Sequence, residues 1–254
     1  MPGLTDMQVL GMQAPGEAEI LALWEQGLAR HPLDRALLLY ACARPDFPPS
    51  RIPDLPLGTI NRALLRLRET CFGPHIIACI DCEHCAVRME IALDTAQLLA
   101  ATNGDDMPGE FDNTPANFEI SGLCFRVPCS RDLAAVSGES DINMAAAKLL
   151  QQCCLAHPQK MDASFADMLG EAEAAIESLD SAAGIDLSLS CGNCGHRWLT
   201  DFNIGSLLWD EFDVRARSLL ADVHSLARAY GWTEAEILAL SPQRRSAYLD
   251  LVGA

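Results

Sequence analysis

The first third of the chain carries apolar residues at the three- and four-residue spacing of amphipathic helices. Two helices are predicted over residues 18–29 and 33–43, separated by the helix-ending pair His31-Pro32. A third helix, over residues 57–70, follows a turn-rich stretch from 44 to 56 that holds five prolines. The arginines of this third helix are expected on its solvent-facing side: Arg62, Arg66 and Arg68.

From residue 75 the pattern changes to alternating apolar and polar positions, which favours strands. Strands are predicted over residues 75–80 and 87–94, and again over 185–190 and 196–202. A further hairpin is predicted over residues 117–127, around Ser121-Gly122.

Further helices are predicted between and after these strands. Ser130 is expected to cap a helix, and two more helices cover residues 142–155 and 165–179. The longest helix runs over residues 204–230, which is roughly 40 Å at 1.5 Å per residue. Gly231 ends it, and two short helices complete the chain. The predicted fold class is therefore α+β and mainly helical.

Two Cys-x-x-Cys pairs, Cys82/Cys85 and Cys191/Cys194, share one local pattern. In each, an Arg follows the second Cys by three residues and a large apolar residue follows it by four: Arg88 with Met89, and Arg197 with Trp198. Each turn holds two thiolates close enough to share a metal ion, so two turns supply a tetrahedral four-cysteine site. Such a site has no open coordination position, which indicates one structural Zn²⁺ rather than a catalytic one.

Three neighbouring residues are alternative ligands. Cys79 precedes Cys82 by three residues and forms an overlapping Cys-x-x-Cys, but the shared pattern favours Cys82 and Cys85 and leaves Cys79 on a strand. His84 and His196 could each replace a thiolate.

The position after the second pair is occupied by Gly195, where a zinc knuckle often needs a positive φ. Ala86 stands at the corresponding place after the first pair and departs from this pattern. The two pairs are separated by residues 86–190, far more than the roughly 15–20 residues of an ordinary zinc ribbon. We therefore expect a split zinc ribbon. Its organisation would be a helical region (1–74), a first half-ribbon (75–94), an α+β insertion (95–184), a second half-ribbon (185–202) and a C-terminal helical region (203–254).

The net charge of −17, from 35 acidic and 18 basic residues, opposes direct binding to nucleic acid, because phosphate contacts need basic residues. The longest apolar run, over residues 36–43, is far shorter than a membrane helix requires, so no membrane partner is expected. The chain has 11 cysteines and no basic-then-apolar N-terminal segment, which favours a reducing cytoplasm. The cysteines outside the pairs and Cys79 are expected to be small buried apolar residues: Cys42, Cys71, Cys124, Cys129, Cys153 and Cys154.

No catalytic signature is found in the sequence. It contains no Gly-rich phosphate loop, no Gly-x-Ser-x-Gly and no His-Glu-x-x-His. Pro128-Cys129-Ser130-Arg131 lacks the second cysteine of a zinc deaminase motif. We therefore expect a protein that is not an enzyme.

Several short stretches together resemble a known family. They are Leu33 to Leu39, Leu64 to Gly73, Phe125 to Leu133, Cys191 to Trp198, Val223 to Ala227, Tyr230 to Glu234 and Ile237 to Ser241, with Arg244, Arg245, Tyr248 and Leu249. The chain resembles zinc-ribbon proteins encoded with contractile phage tails and extracellular contractile injection systems, which are similar in their C-terminal part to the baseplate hub assembly proteins of T-even phages.

The resemblance implies a non-enzymatic assembly factor or minor structural component of a baseplate, with hub or other tail proteins as partners in a bacterial cytoplasm. Trp232, Ile237, Leu240 and Tyr248 lie in the short terminal helices, where they could present an apolar surface to such a partner or simply pack on the long helix. The alternative is a zinc-ribbon factor that acts with nucleic acid or the transcription machinery.

Overall fold

A computed structural model describes residues 13–102, 116–155 and 165–253. The first twelve residues, where no secretory signal is expected, lie outside these ranges. The α-helices in the described ranges are α1 (Glu17–Gly27), α2 (Pro32–Ala43), α3 (Leu57–Phe72), α4 (Thr95–Ala101), α5 (Ser130–Val136), α6 (Ile142–Cys153), α7 (Leu169–Leu179), α8 (Ile204–Tyr230), α9 (Glu234–Leu238) and α10 (Pro242–Gly253). The strands are β1 (His75–Asp81), β2 (Arg88–Asp94), β3 (Asn117–Ile120), β4 (Leu123–Arg126), β5 (Asp186–Ser190) and β6 (Arg197–Asp201). The α+β, mainly helical class is confirmed.

The main hydrophobic core forms where α1, α2 and α3 pack with the long helix α8. The close approach of α1 to α8 needs a glycine, because a Cβ on Gly27 would stand 2.1 Å from the ring of Trp209. The core residues that are fully or almost fully buried include Leu39, Tyr40, Leu64, Leu65, Leu67, Leu208, Phe212 and Leu219. Burial of one such side chain stabilises the fold by about 1.5–3 kcal/mol, so this helical cluster dominates the energetics.

The outward placement predicted for Arg68 is wrong. Only 4% of this residue is exposed. Its guanidinium donates to the Glu211 carboxylate on α8 at 2.8 Å and to the carbonyl oxygen of Gly73 at 2.6 Å. The carboxylate comes from a distant part of the chain, so the helical pattern alone could not reveal it.

The strands form three separate two-stranded antiparallel sheets among the described residues: β1 with β2, β3 with β4, and β5 with β6. The predicted turn of the middle hairpin is confirmed, with φ of 52° at Ser121 and 76° at Gly122. Two consecutive positive φ values match the twist of tight hairpins.

The segment between the outer hairpins has a small core of its own, formed by Ile120, Phe125, Leu150, Met168 and Ala172. It is joined to the main helices by polar contacts. The carboxylate of Asp180 accepts the N–H of Gly58 at 2.9 Å and so caps α3.

Two local predictions need correction. The cap of α5 is Cys129 rather than Ser130, because the Asp132 carboxylate returns to accept the Cys129 backbone N–H at 2.9 Å. The turn-rich stretch of residues 44–56 also contains a short 3₁₀ helix, Pro49–Asp54.

The C-terminal helices are anchored on α8. Gly231 ends α8 with φ of 70°, as predicted, and a capping box formed by Thr233 and Glu236 opens α9. On α10, the buried guanidinium of Arg245 pairs with the Glu17 carboxylate of α1 and with Asp222 of α8. Among the described helices, none combines the length and apolar character needed to cross a bilayer.

Candidate metal centre

The two outer hairpins carry the Cys-x-x-Cys pairs at their tips. Asp81 at the end of β1 pairs with Arg88, and Ser190 at the end of β5 pairs with Arg197. The shared arginine is therefore the first residue of each returning strand, and the two turns have the same length and register.

Each tip has the backbone of a tight knuckle. In the first, the Cys82 carbonyl accepts the Ala86 N–H at 2.8 Å and the Cys82 N–H donates to Val87 at 3.0 Å. The second repeats both bonds: Gly195 donates to Cys191 at 2.9 Å, and Cys191 donates to His196 at 2.8 Å.

The residue after each second cysteine has a positive φ, 55° at Ala86 and 73° at Gly195. The two knuckles therefore share one conformation although only the second has the glycine that it favours. This conformation costs an L-residue roughly 1–2 kcal/mol.

The hairpin tips bring the four predicted sulfurs into one cluster. All four Sγ atoms lie within 4.8 Å of one another. The contacts that join the hairpins are Cys82 to Cys194 and Cys85 to Cys191, each 3.7 Å between sulfurs. A tetrahedral zinc with Zn–S bonds of about 2.3 Å requires sulfurs about 3.8 Å apart. The donor set and its spacing thus fit a tetrahedral thiolate metal ion.

The surroundings of Cys85 favour the thiolate that a metal requires. The backbone N–H of Val87 and the side-chain amide of Asn193, 3.6 Å from the sulfur, lower the pKa of Cys85 to about 6. The sequence pattern gives no signal for Asn193. It lies at a variable position of the second pair, and only the meeting of the hairpins gives it a role.

The surroundings of the other pair shift the pKa values of its two thiols in opposite directions. The backbone N–H of Cys194 lowers the pKa of Cys191. At Cys194, the N–H of His196 favours the thiolate, but desolvation and the neighbouring thiols outweigh it and raise the pKa to about 12. A metal ion bound by these thiolates would therefore have to displace the Cys194 proton at neutral pH.

The alternative ligands lie outside the sulfur cluster. Cys79 is exposed on β1, paired with Glu90, as the sequence predicts for a strand residue. His84 and His196 stack on each other with ring centroids 5.5 Å apart, and His196 also stacks on Trp198 at 5.6 Å. These rings form an aromatic layer beside the knuckles.

The remaining cysteines only partly follow the prediction of burial. Cys129 and Cys153 are buried, whereas Cys42, Cys71 and Cys154 are half-buried. The prediction is wrong for Cys124, which is exposed on β4. Burial raises the pKa of the Cys153 thiol to about 12, so this thiol remains protonated and unreactive.

The terminal aromatic residues pack together at the end of α8. The ring of Trp232 lies 4.7 Å from Tyr230 and 4.8 Å from Tyr248 between centroids. Leu240 is half-buried, but Ile237 is fully buried. The proposed partner-binding role of Ile237 is therefore corrected to a packing role, because its side chain has no surface to offer.

Comparison with known proteins finds no match to this chain among protein-family models, curated proteins or solved structures. Function is therefore inferred from the fold and the geometry of the sites.

Proposed function

We propose that Cys82, Cys85, Cys191 and Cys194 bind one structural Zn²⁺ and thereby complete a split zinc ribbon made of the two outer hairpins. The sulfur cluster and the matching knuckle backbones support this proposal. A bound structural zinc contributes apparent free energies of ~10–16 kcal/mol in finger peptides, enough to decide whether the hairpins stay together.

Metal analysis of the purified chain tests this ligand set. We expect one zinc per chain by inductively coupled plasma mass spectrometry, with no visible absorption of the kind that iron in four thiolates gives. Cys194→Ser should lose the metal and lower the melting temperature, whereas the matched control Cys79→Ser should keep both. Full zinc retention in Cys194→Ser would contradict the assignment.

We further propose that the protein is a non-enzymatic assembly factor or minor structural component of a contractile tail or injection-system baseplate, acting in a bacterial cytoplasm. A site with four protein ligands leaves no coordination position for a substrate. The sequence resemblance points to hub or other tail proteins as partners.

The C-terminal apolar surface carries this proposal. It consists of Tyr230, Trp232, Tyr248, Leu251 and Val252. Tyr230 is 40% exposed, Leu251 67% and Val252 40%. Leu251 and Val252 follow Tyr248 by three and four residues, so all three lie on one face of α10. Several exposed apolar side chains grouped at one end of a helix pair are typical of a protein interaction site.

A tagged pull-down from the native host tests the assembly role. Baseplate, hub or tube proteins should bind the wild-type chain and be lost from the double variant Trp232→Ala/Tyr248→Ala. Val214→Ala serves as control, because this α8 residue is 68% exposed and lies apart from the aromatic cluster. Zinc content and melting temperature show whether each variant is folded.

Other outcomes of the same experiment would change the assignment. RNA polymerase or ribosomal proteins in the eluate would favour the nucleic-acid alternative, which the charge of −17 opposes. Tail proteins that bind the folded double variant as well as the wild type would refute the role of the C-terminal apolar surface.

A further inference from the structure

The four sulfurs of the candidate metal centre occupy two inner and two outer positions. Cys82 and Cys191 are only 2% and 3% exposed, whereas Cys194 is exposed and Cys85 is half-buried. Each hairpin therefore contributes one inner and one outer thiol. A dissolved oxidant reaches the outer thiols first, because oxidation of cysteine follows its exposure.

Each outer sulfur contacts the inner sulfur of the opposite hairpin. Cys194 lies 3.7 Å from Cys82, and Cys85 lies 3.7 Å from Cys191, between Sγ atoms. The sulfurs of a disulfide are about 2.05 Å apart, so each contact has to shorten by about 1.7 Å to become a bond. An outer sulfur that is oxidised therefore already has a second thiol beside it.

The two hairpins are free to make this movement as separate units. In the described part of the chain, β1 pairs with β2 and β5 pairs with β6, and no strand pairing joins the two sheets. Within each knuckle, two backbone hydrogen bonds fix the turn that carries both of its cysteines. A bond between the hairpins thus needs a small approach of two units, whereas a bond within a knuckle has to distort its turn.

Given the proposed zinc site, we propose that this cluster is a redox switch, in which peroxide replaces the metal by two disulfides between the hairpins, Cys82–Cys194 and Cys85–Cys191. The outer thiolate attacks one oxygen of the peroxide and becomes a sulfenic acid, and the other oxygen leaves as hydroxide. The inner thiolate of the opposite hairpin then attacks the sulfenic sulfur, and a second hydroxide leaves as the S–S bond forms. Four thiolates, two molecules of hydrogen peroxide and four protons thereby give two disulfides and four waters, and the zinc leaves as Zn²⁺.

The two disulfides keep the hairpins joined after the metal has left. Cys82 and Cys194 are 112 positions apart, and Cys85 and Cys191 are 106 positions apart. A cross-link over such a long segment restricts the unfolded chain far more than a cross-link within a four-residue turn. We therefore expect peroxide to release the zinc without unfolding the protein.

Zinc release is tested on the full chain, purified with its metal and titrated with hydrogen peroxide. The chelator 4-(2-pyridylazo)resorcinol reports the free zinc by its colour. The chain should release its one zinc at about two equivalents of peroxide, because each disulfide consumes one peroxide. Dithiothreitol followed by zinc should restore the starting protein, because disulfides are reduced by thiol exchange.

Tryptic mapping without reduction identifies the bonds. Cleavage after basic residues places Cys82 and Cys85 in the peptide 69–88, and Cys191 and Cys194 in the peptide 161–197. The two peptides should be covalently linked after oxidation and separate after reduction. The oxidised protein should melt at least about 5 °C above the reduced, zinc-free chain, because its cross-links close long loops.

Cys79→Ser is the matched control, since Cys79 is exposed on β1 and lies in the same tryptic peptide as the first pair. This variant should release zinc and link the two peptides as the wild type does. Loss of the link in Cys79→Ser, or disulfides confined to each turn, would overturn the proposed pairing.

The zinc content measured before oxidation separates failure of the switch from failure of the metal site. A chain that holds zinc and keeps it while the exposed thiols of Cys79 and Cys124 are oxidised overturns the switch alone. A chain that binds no zinc at all overturns the metal site and the switch together.

Discussion

Replacing Ala86 by glycine should stabilise the protein with the proposed zinc bound. Ala86 is an exposed residue held at φ 55°, and its structural counterpart Gly195 has φ 73°. The substitution removes a methyl group that packs against little, and it relieves the backbone strain of the first knuckle.

The expected gain follows from two opposing terms. The left-handed conformation costs alanine roughly 1–2 kcal/mol. Glycine relieves this strain but also makes the unfolded chain more flexible. The extra entropy lost on folding destabilises the native state by about 0.4–1 kcal/mol, which offsets part of the gain. The net stabilisation is about 0.5–1 kcal/mol, a rise of about 1–4 °C in melting temperature for a chain of this size. Gly195→Ala should destabilise by a similar amount, because a Cβ there meets no atom within 4 Å and only the backbone strain counts.

The assay is urea or thermal unfolding at a fixed excess of zinc, since bound metal shifts apparent stability by mass action. Ala92→Gly is the matched control: this exposed β2 residue has no positive φ and should lose about 0.5–1 kcal/mol. If Ala86→Gly destabilised as much as Ala92→Gly, the strain argument for the knuckle would be refuted.

Three further predictions concern buried polar groups. Glu211→Ala should destabilise the protein by about 2–3 kcal/mol in urea unfolding, because the buried Arg68 loses its partner. The double variant Arg68→Met/Glu211→Leu should recover most of this lost stability, because it leaves no buried charge unpaired. Thr95→Val should stabilise the protein by about 1 kcal/mol in the same assay, since Thr95 is fully buried and its hydroxyl has no partner among the described residues. Destabilisation by a similar amount would instead show that the hydroxyl makes a hydrogen bond. Arg245→Ala should free α10 from α1 and speed amide hydrogen exchange in α10, whereas exposed Arg244→Ala should leave exchange unchanged.

Elements with local signals at both ends could be predicted from the sequence. The long helix matches its predicted bounds, Ile204–Tyr230, because Asn203 caps its start and Gly231 adopts the left-handed conformation at its end. The cysteine hairpins were predicted for a similar reason, since the turn and the alternating flanks coincide in the chain.

Features that depend on distant partners could not be predicted. The sequence pattern places Arg68 on the solvent-facing side of α3, and only the packing of α8 brings Glu211 beside it. Asn193 becomes relevant only when the hairpins meet, and Ile237 is buried by α8 and α1 rather than by its own short helix. The positive φ of Ala86 is also hidden, because alanine gives no signal for it.

The wide separation of the two knuckles has a consequence for biosynthesis. Cys85 leaves the ribosome 106 positions before Cys191. At roughly 5–20 residues per second, the first pair of thiols must wait about 5–20 seconds for its partners. During that interval the nascent chain exposes half a binding site, which can hold a metal only loosely and can react with oxidants or other thiols. If the proposed zinc site is correct, maturation of this protein depends on the rate of translation and on the free zinc available while the second hairpin is still being made.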